Sequence, residues 1–133
     1  NEKIAINNHE GYLVSVGNPH YVTFMTSLSE NIARYQGHII DNPAYFPEGI
    51  NVEFVKVINK NEIEIKVWER GSGATLACGT GAGAASFCGI KKGVLSSEIK
   101  VHMPGGSVFV ELKEDNIFLT GKVDYVFDGS VEI

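Results

Sequence analysis

The sequence predicts an α+β fold: a curved antiparallel β-sheet or partial barrel wrapped around one central helix, with residues 1–133 forming a single domain. Three observations predict it. EIEIKVW, residues 62–68, alternates Ile63, Ile65 and Val67 with Glu62, Glu64 and Lys66, the period of a strand with one face buried. From residue 97 onward the chain is a succession of short apolar runs broken by turn residues: SEIKVHM, SVFVEL, IFLTG and YVFDG. Before them, Thr80 to Lys92 starts in small residues, passes through Phe87, Cys88 and Ile90, and meets Gly93, as a helix with lysines in its last turn would. Several strands curled against that apolar helix would bury both.

Taken in order, Tyr12 to Val16 reads as a strand, GNPH at 17–20 as a turn, and YVTFM at 21–25 as a second strand. LSENIARYQG, residues 28–37, predicts a short surface helix with Ser27 or Ser29 as cap and Gly37 as stop. IIDNPAYFPEG, residues 39–49, holds two prolines and reads as a long loop. NVEFVKVI at 51–58 and EIEIKVW, separated by NKN, form a hairpin. No internal repeat, linker or low-complexity tract interrupts this order.

Composition narrows the function. The chain is 44% hydrophobic with 15 glycines, ordinary for a folded protein apart from a glycine content suited to tight turns. Sixteen acidic against 11 basic side chains give a net charge of −5, and no basic cluster offers a footprint for phosphates, so nucleic acid is not an expected partner. No apolar run approaches the roughly 20 residues that cross a bilayer, and Asn1 is not followed by a signal-like segment; no membrane association and a cytoplasmic setting are expected. A start without Met suggests a processed protein or an excised piece.

ERGSGATLACGTGAGAA, residues 69–85, concentrates the chemistry. Cys78 has a structural reading, since free cysteines pack well in cores. Its neighbours favour another. CGTG places backbone amides of Gly79 and Thr80 at a helix start, where they lack intrahelical acceptors and can hold a carboxylate, and the same field favours a thiolate. A nucleotide loop is a poor fit, because Gly81 is followed by Ala82 and Gly83 rather than by Lys and Ser or Thr. Zinc fits no better: Cys78 and Cys88 lie ~15 Å apart along a continuous helix. A metal held by Cys78 with His9, His20, His38 or Glu69 is left open by the spacing and unsupported by it.

Glu69 and Arg70 read either as an exposed strand-end pair or as a site in which Arg70 takes a carboxylate in bidentate fashion and Glu69 accepts an ammonium or tunes a nearby imidazole, a catalytic role beside Cys78 and His20. Asn18 can serve a turn or a ligand, and His20 is the histidine that strand packing could bring beside Glu69. Asn51, at a strand start, could bind substrate or close a loop. His9 and His102 are expected at the surface or in ordinary hydrogen bonds, and Cys88 in helix packing.

GNPH at 17–20, FPEGINVEF at 46–54, WERGSGATLACGTGAGAA at 68–85, MPGG at 103–106 and LTG at 119–121 together resemble the C-terminal half of the diaminopimelate epimerase family over nearly the whole chain. The resemblance implies one half of a two-domain fold with its active-site cleft between the halves. It also implies inversion of an amino-acid α-carbon, L,L- to meso-diaminopimelate and back, with no cofactor and no metal, by one cysteine from each half. Cys78 is then the acid/base of this half, and its companion belongs to an N-terminal domain absent from this chain. Asn18, Asn51 and Arg70 correspond to residues that hold the distal end of the substrate, with Glu69 beside them. Gly79 and Thr80 supply amides to the reacting carboxylate, and His20 joins the catalytic polar network. A homodimer of the full-length enzyme is compatible with the family. Gly83 and Ala74 stand where relatives often carry a cysteine and an acid, and GKV at 121–123 replaces a glycine-proline-alanine pattern. Two further readings are a racemase of another amino acid and a non-catalytic domain binding a small molecule or peptide.

Overall fold

The computed structural model describes residues 2–122 and 125–132, with side chains described over residues 3–120; Val123, the last residue of GKV, lies outside the described residues. The chain forms β1 (Glu2–Ile6), β2 (His9–Ser15), β3 (Pro19–Phe24), α1 (Ile32–Ile40), β4 (Asn51–Asn59), β5 (Glu62–Glu69), β6 (Gly73–Thr75) and α2 (Gly79–Lys92). It continues through β7 (Glu98–Met103), β8 (Gly106–Lys113), β9 (Asn116–Lys122) and β10 (Tyr125–Glu132). The β1–β2 hairpin, not anticipated from the sequence, closes through Asn7 and Asn8, both at positive φ. That backbone matches the twist of the flanking strands, and asparagine tolerates it.

The strands form one sheet in the order β1-β2-β3-β4-β5-β7-β8-β9-β10, with β6 paired to β5. The sheet is mixed. β3 pairs with β4 in parallel, and β5 with β7 in parallel, while the other pairs are antiparallel. A parallel neighbour needs a crossover, and each of these junctions has one. Residues 25–50, including α1, return the chain from the end of β3 to the start of β4; β6 and α2 lie between β5 and β7. Local hydrophobic period cannot report strand direction, which is why this differs from a wholly antiparallel sheet.

α2 lies inside the curve of the sheet, packed against β2, β3, β4, β5, β7, β8 and β9. Its residues 81–89 are all buried, and Ala82, Ala84, Ala85, Phe87 and Cys88 among them join Val22, Val55, Ile63, Ile65, Val67, Val101, Val110 and Leu119 in the main core. A helix enclosed on all sides needs small side chains wherever strands come closest. Lys91 and Lys92 occupy its last turn, and Gly93 terminates it at φ 86.

α1 covers the opposite face of β3, β4 and β5, where Tyr21, Val52 and Phe54 pack with Ile32, Ala33 and Ile40. It begins later than the sequence suggests. Neither Ser27 nor Ser29 caps it; Asn31 stands at its N-terminus without a side-chain cap bond, and Gly37 lies within the helix rather than ending it. Its reason is space. A Cβ at Gly37 would stand 2.4 Å from Cβ of Trp68.

Replacing an interior helix glycine with alanine normally stabilises by about 1 kcal/mol. At Gly37 the overlap with Trp68 reverses the sign: G37A is expected to destabilise by about 1–3 kcal/mol, read as a lower urea midpoint at unchanged m-value. A higher midpoint would contradict this packing of α1 on β5.

Candidate active site

Alternation along the strands decides which side chains reach α2. On β4, Val52 and Phe54 face α1, while Val55 belongs to the core around α2, so Asn51 and Glu53 share its side. The parallel register sets His20 opposite Asn51 and Val22 opposite Glu53. β5 runs antiparallel to β4 and ends at Glu69 beside the same edge, where Val52 pairs with Trp68. The starts of β3 and β4, the end of β5 and the beginning of α2 therefore converge.

Asn51 ties this corner together. Its Nδ2 donates to the Pro19 carbonyl at 3.0 Å, and its Oδ1 accepts from the Arg70 backbone amide at 2.8 Å. One buried amide thus links the GNPH segment to ERG, and both of its polar atoms are engaged. Arg70 is exposed; its Nη1 donates to the Glu48 carbonyl at 3.2 Å, and its stem lies over Gly49. Gly49 sits at φ 83, with Arg70 Cδ 2.6 Å from where a Cβ would stand, so the glycine of FPEG is required by backbone and space alike.

His20 belongs to β3 rather than to a turn, and it is fully buried. Its Nδ1 lies 2.8 Å from Glu53 Oε2 and its Nε2 3.0 Å from Asn18 Oδ1. Glu53 is also fully buried, and among the described residues its Oε1 has no hydrogen-bond partner. Burial raises the Glu53 carboxyl above its ordinary pKa; His20 opposes that shift and Glu69 adds to it.

Cys78 is the N-cap of α2, with extended backbone at φ −152 and ψ 111. Its Sγ accepts from the Gly81 amide at 3.3 Å and lies 3.6 Å from Thr80 Oγ1. The amides of Gly79 and Thr80 precede the first intrahelical acceptor, since the Ala82 amide is the one bonded to the Cys78 carbonyl. Cys78 Sγ and Glu53 Oε2 come within 3.3 and 3.0 Å of the point a Cβ on Gly81 would occupy, so that glycine lets the cysteine and the buried acid approach. The MPGG segment supports them from outside: Cys78 N donates to Met103 Sδ at 3.4 Å, and Gly105 N to the Leu76 carbonyl at 2.7 Å.

The thiol does not follow the expectation from its helix position. Burial, with Cys78 only 8% exposed, pushes its pKa up to about 11, against the smaller pull of Thr80 and the Gly81 amide and with help from Glu53 and Glu69. Desolvation outweighs the hydrogen bonds to the sulfur here. Cys88 is buried in the core, with burial pushing it to about 12.

The remaining histidines are elsewhere. His9 bonds Gln36, His38 the Arg34 carbonyl, and His102 both Glu62 and Ser107. Among the described residues no three His, Cys, Asp or Glu side chains group as a metal site would need, and no helix is long and apolar enough to cross a membrane. A cavity of about 380 Å³ borders His20, lined also by Leu13, Pro19, Phe46 and Ile50. A larger one of about 450 Å³, on the outer side of β7, β8 and β9, contains none of the predicted site residues, and its position rather than its size decides against it. Glu53 and Met103 escaped the sequence reading. The signal for Glu53 was an acid in NVEFV at the same alternation phase as Asn51.

The diaminopimelate epimerase family model matches residues 12–126. The chain belongs to that family. It is 41% identical to the diaminopimelate epimerase of Halothermothrix orenii over 133 residues, all of this chain and 45% of that protein. It is 40% identical to that of Brachyspira hyodysenteriae over 135 residues, and 41% identical to that of Bacillus licheniformis over 134. The chain spans a little under half the length of these epimerases. In fold it is similar to a PhzF-family phenazine biosynthesis protein of Enterococcus faecalis, at TM-score 0.57 and 16% identity over 77% of this chain and 37% of that one. A PhzF-family protein of Bacillus anthracis matches at TM-score 0.54 and 14% identity over 89% and 40%.

With a thiol pKa near 11, roughly one Cys78 in a few thousand is ionised at pH 7.5. Alkylation of Cys78 by iodoacetamide, followed by mass spectrometry, is expected to rise about tenfold per pH unit from 7 to 10. A plateau by pH 8 would reveal a thiolate. Because folding raises both thiols, their contribution to stability is complete below the ordinary thiol pKa and is lost as pH climbs toward 11 and 12.

Proposed function

We propose that these residues are the C-terminal half of a diaminopimelate epimerase, which interconverts L,L- and meso-diaminopimelate without pyridoxal phosphate or metal. The observation that carries this is Cys78 capping a small-residue helix beside the amides of Gly79 and Thr80, which have no intrahelical acceptor, in a chain about 41% identical throughout to named diaminopimelate epimerases. Inversion needs one group to take the α-proton from one face and another to return a proton to the opposite face. Cys78 serves one face; an N-terminal half, matching the part of the relatives this chain does not span, supplies a second cysteine for the other.

The amides of Gly79 and Thr80 hold the α-carboxylate and stabilise the negative charge that grows as the α-proton leaves. Arg70 has one of its five guanidinium N–H groups on Glu48 and turns the others to the distal carboxylate. Asn51 keeps the Arg70 backbone and the GNPH segment in place and retains one Nδ2 proton for substrate. Asn18 and Glu69 face the distal end, and His20 anchors the polar network. In this half alone the raised pKa keeps Cys78 as a thiol, ready to return a proton. Removing one in the reverse direction needs a nearby positive charge, which the substrate ammonium can supply. Such chemistry suits a cytosolic protein acting on a small amino acid.

Deuterium incorporation at the α-carbon of L,L-diaminopimelate in heavy water tests this. The full-length protein should exchange and epimerise; C78S in it should lose about 100-fold or more in kcat, the scale for removing an acid/base group, and residues 1–133 alone should show no turnover. Robust turnover by the 133-residue chain, or none by the full-length protein, would sink the reading. R70A should lower kcat/KM for diaminopimelate by about 10- to 100-fold, the worth of a charged hydrogen-bond pair, and spare amino acids that lack the distal carboxylate. Equal losses, or better turnover of another amino acid by the unmodified enzyme, would point to a different racemase.

A further inference from the structure

We propose that Glu53 is a positioning residue of the epimerase reaction: it holds a proton in the bond to His20 Nδ1 and thereby fixes His20 Nε2 as a hydrogen-bond donor at the start of β3. The inference rests on the epimerase reading for its kinetic consequence, though not for the proton itself. Two acceptors flank the imidazole, Glu53 Oε2 at 2.8 Å and Asn18 Oδ1 at 3.0 Å. The first bond needs one proton between Nδ1 and Oε2; the second needs one on Nε2. Whether the shared proton sits on nitrogen or oxygen, the pair is neutral as a whole, the state in which two fully buried groups avoid the cost of an unpaired charge.

A purely structural role does not account for the acid. At a position sealed between β3, β5 and α2, an apolar side chain of similar volume would cost less than a carboxyl with one oxygen unsatisfied. The surroundings are instead arranged so that the location of one proton matters. Glu53 is faced by His20 from β3, Glu69 from β5, and Cys78 and Cys88 from α2, and its negative charge raises both thiols. Gly81 leaves open the space that Oε2 and Cys78 Sγ both border, 3.0 and 3.3 Å from where its Cβ would stand. With the proton held in this pair, His20 keeps its Nε2–H on Asn18 Oδ1, which orients the Asn18 amide, and the imidazole does not compete with Cys78 for the α-proton.

The test uses the full-length enzyme with 15N-labelled histidine, comparing the unmodified protein, E53L and E53Q at pH 7. In the unmodified protein His20 is expected to carry its proton on Nε2, with Nδ1 engaged by Glu53. In E53L, which offers Nδ1 no partner, the Nε2 proton should no longer be fixed, and kcat should fall by about 10- to 100-fold, the scale for carboxylates that orient a working imidazole. E53Q, whose amide can donate to Nδ1, should keep the Nε2 proton and most of kcat. A bare Nε2 in the unmodified enzyme overturns the proposal, and so does an E53L variant in which either the spectrum or kcat stays unchanged. Near-UV circular dichroism checks folding; should E53L not fold, the spectra of the unmodified enzyme and E53Q decide. Absence of epimerase activity in the unmodified enzyme would refute the functional reading, while the spectra would still decide whether the proton is shared.

Discussion

Enclosing α2 within the sheet is the constraint from which the rest follows. A helix can be surrounded by strands only if its side chains are small where the strands come closest, and Gly81, Ala82, Gly83, Ala84 and Ala85 meet that condition. Glycines weaken an isolated helix by about 1 kcal/mol each, so packing against the sheet has to compensate. The enclosure also fixes where the helix starts. Cys78 enters at the corner where β3 and β4 begin and β5 ends, with Met103 against its amide and Leu76 left 70% exposed beside it.

That corner exists because two junctions in the sheet are parallel. Had β3 and β4 paired antiparallel, the beginning of one would have met the end of the other, and His20 would not face Asn51. The crossover that makes the parallel pair possible carries α1, and α1 in turn covers the face of the sheet that α2 does not. Asn51 then joins the start of β3 to the residue after β5 through a single side chain. A feature that looks like a fold detail, strand direction, is thus what assembles dispersed motifs into one site.

Burial is the dominant electrostatic effect at this site. It lifts the Cys78 thiol at a helix start, and it raises the Glu53 carboxyl against the opposing pull of His20. Both shifts favour the neutral form of the acid, a form that responds to a charged substrate when it arrives in the proposed reaction. The exposed Arg70 and the buried Cys78 divide the work in space, one toward a distant carboxylate and the other toward a reacting carbon in the proposed reaction.

The residues of the candidate site were largely legible in the chain, because glycines, an N-capping cysteine and an Arg after a strand announce themselves through local chemistry. ERGSGATLACGTGAGAA was readable as a strand end, a turn and a helix start, and α2 begins within one residue of its expected place. α1 was misplaced because its glycine is a contact with Trp68 and not a terminator, and that contact lies 31 positions away in sequence. Glu53 was passed over because nothing local distinguishes a buried acid from a solvated one; its partner His20 comes from another strand. What the sequence by itself determined was the family, most of the elements and the candidate thiol, since these depend on residue types and short spacings. Strand direction, the thiol's raised pKa and the His20–Glu53 pair were decided only by tertiary structure, because each depends on distance and solvent exclusion between segments far apart in the chain.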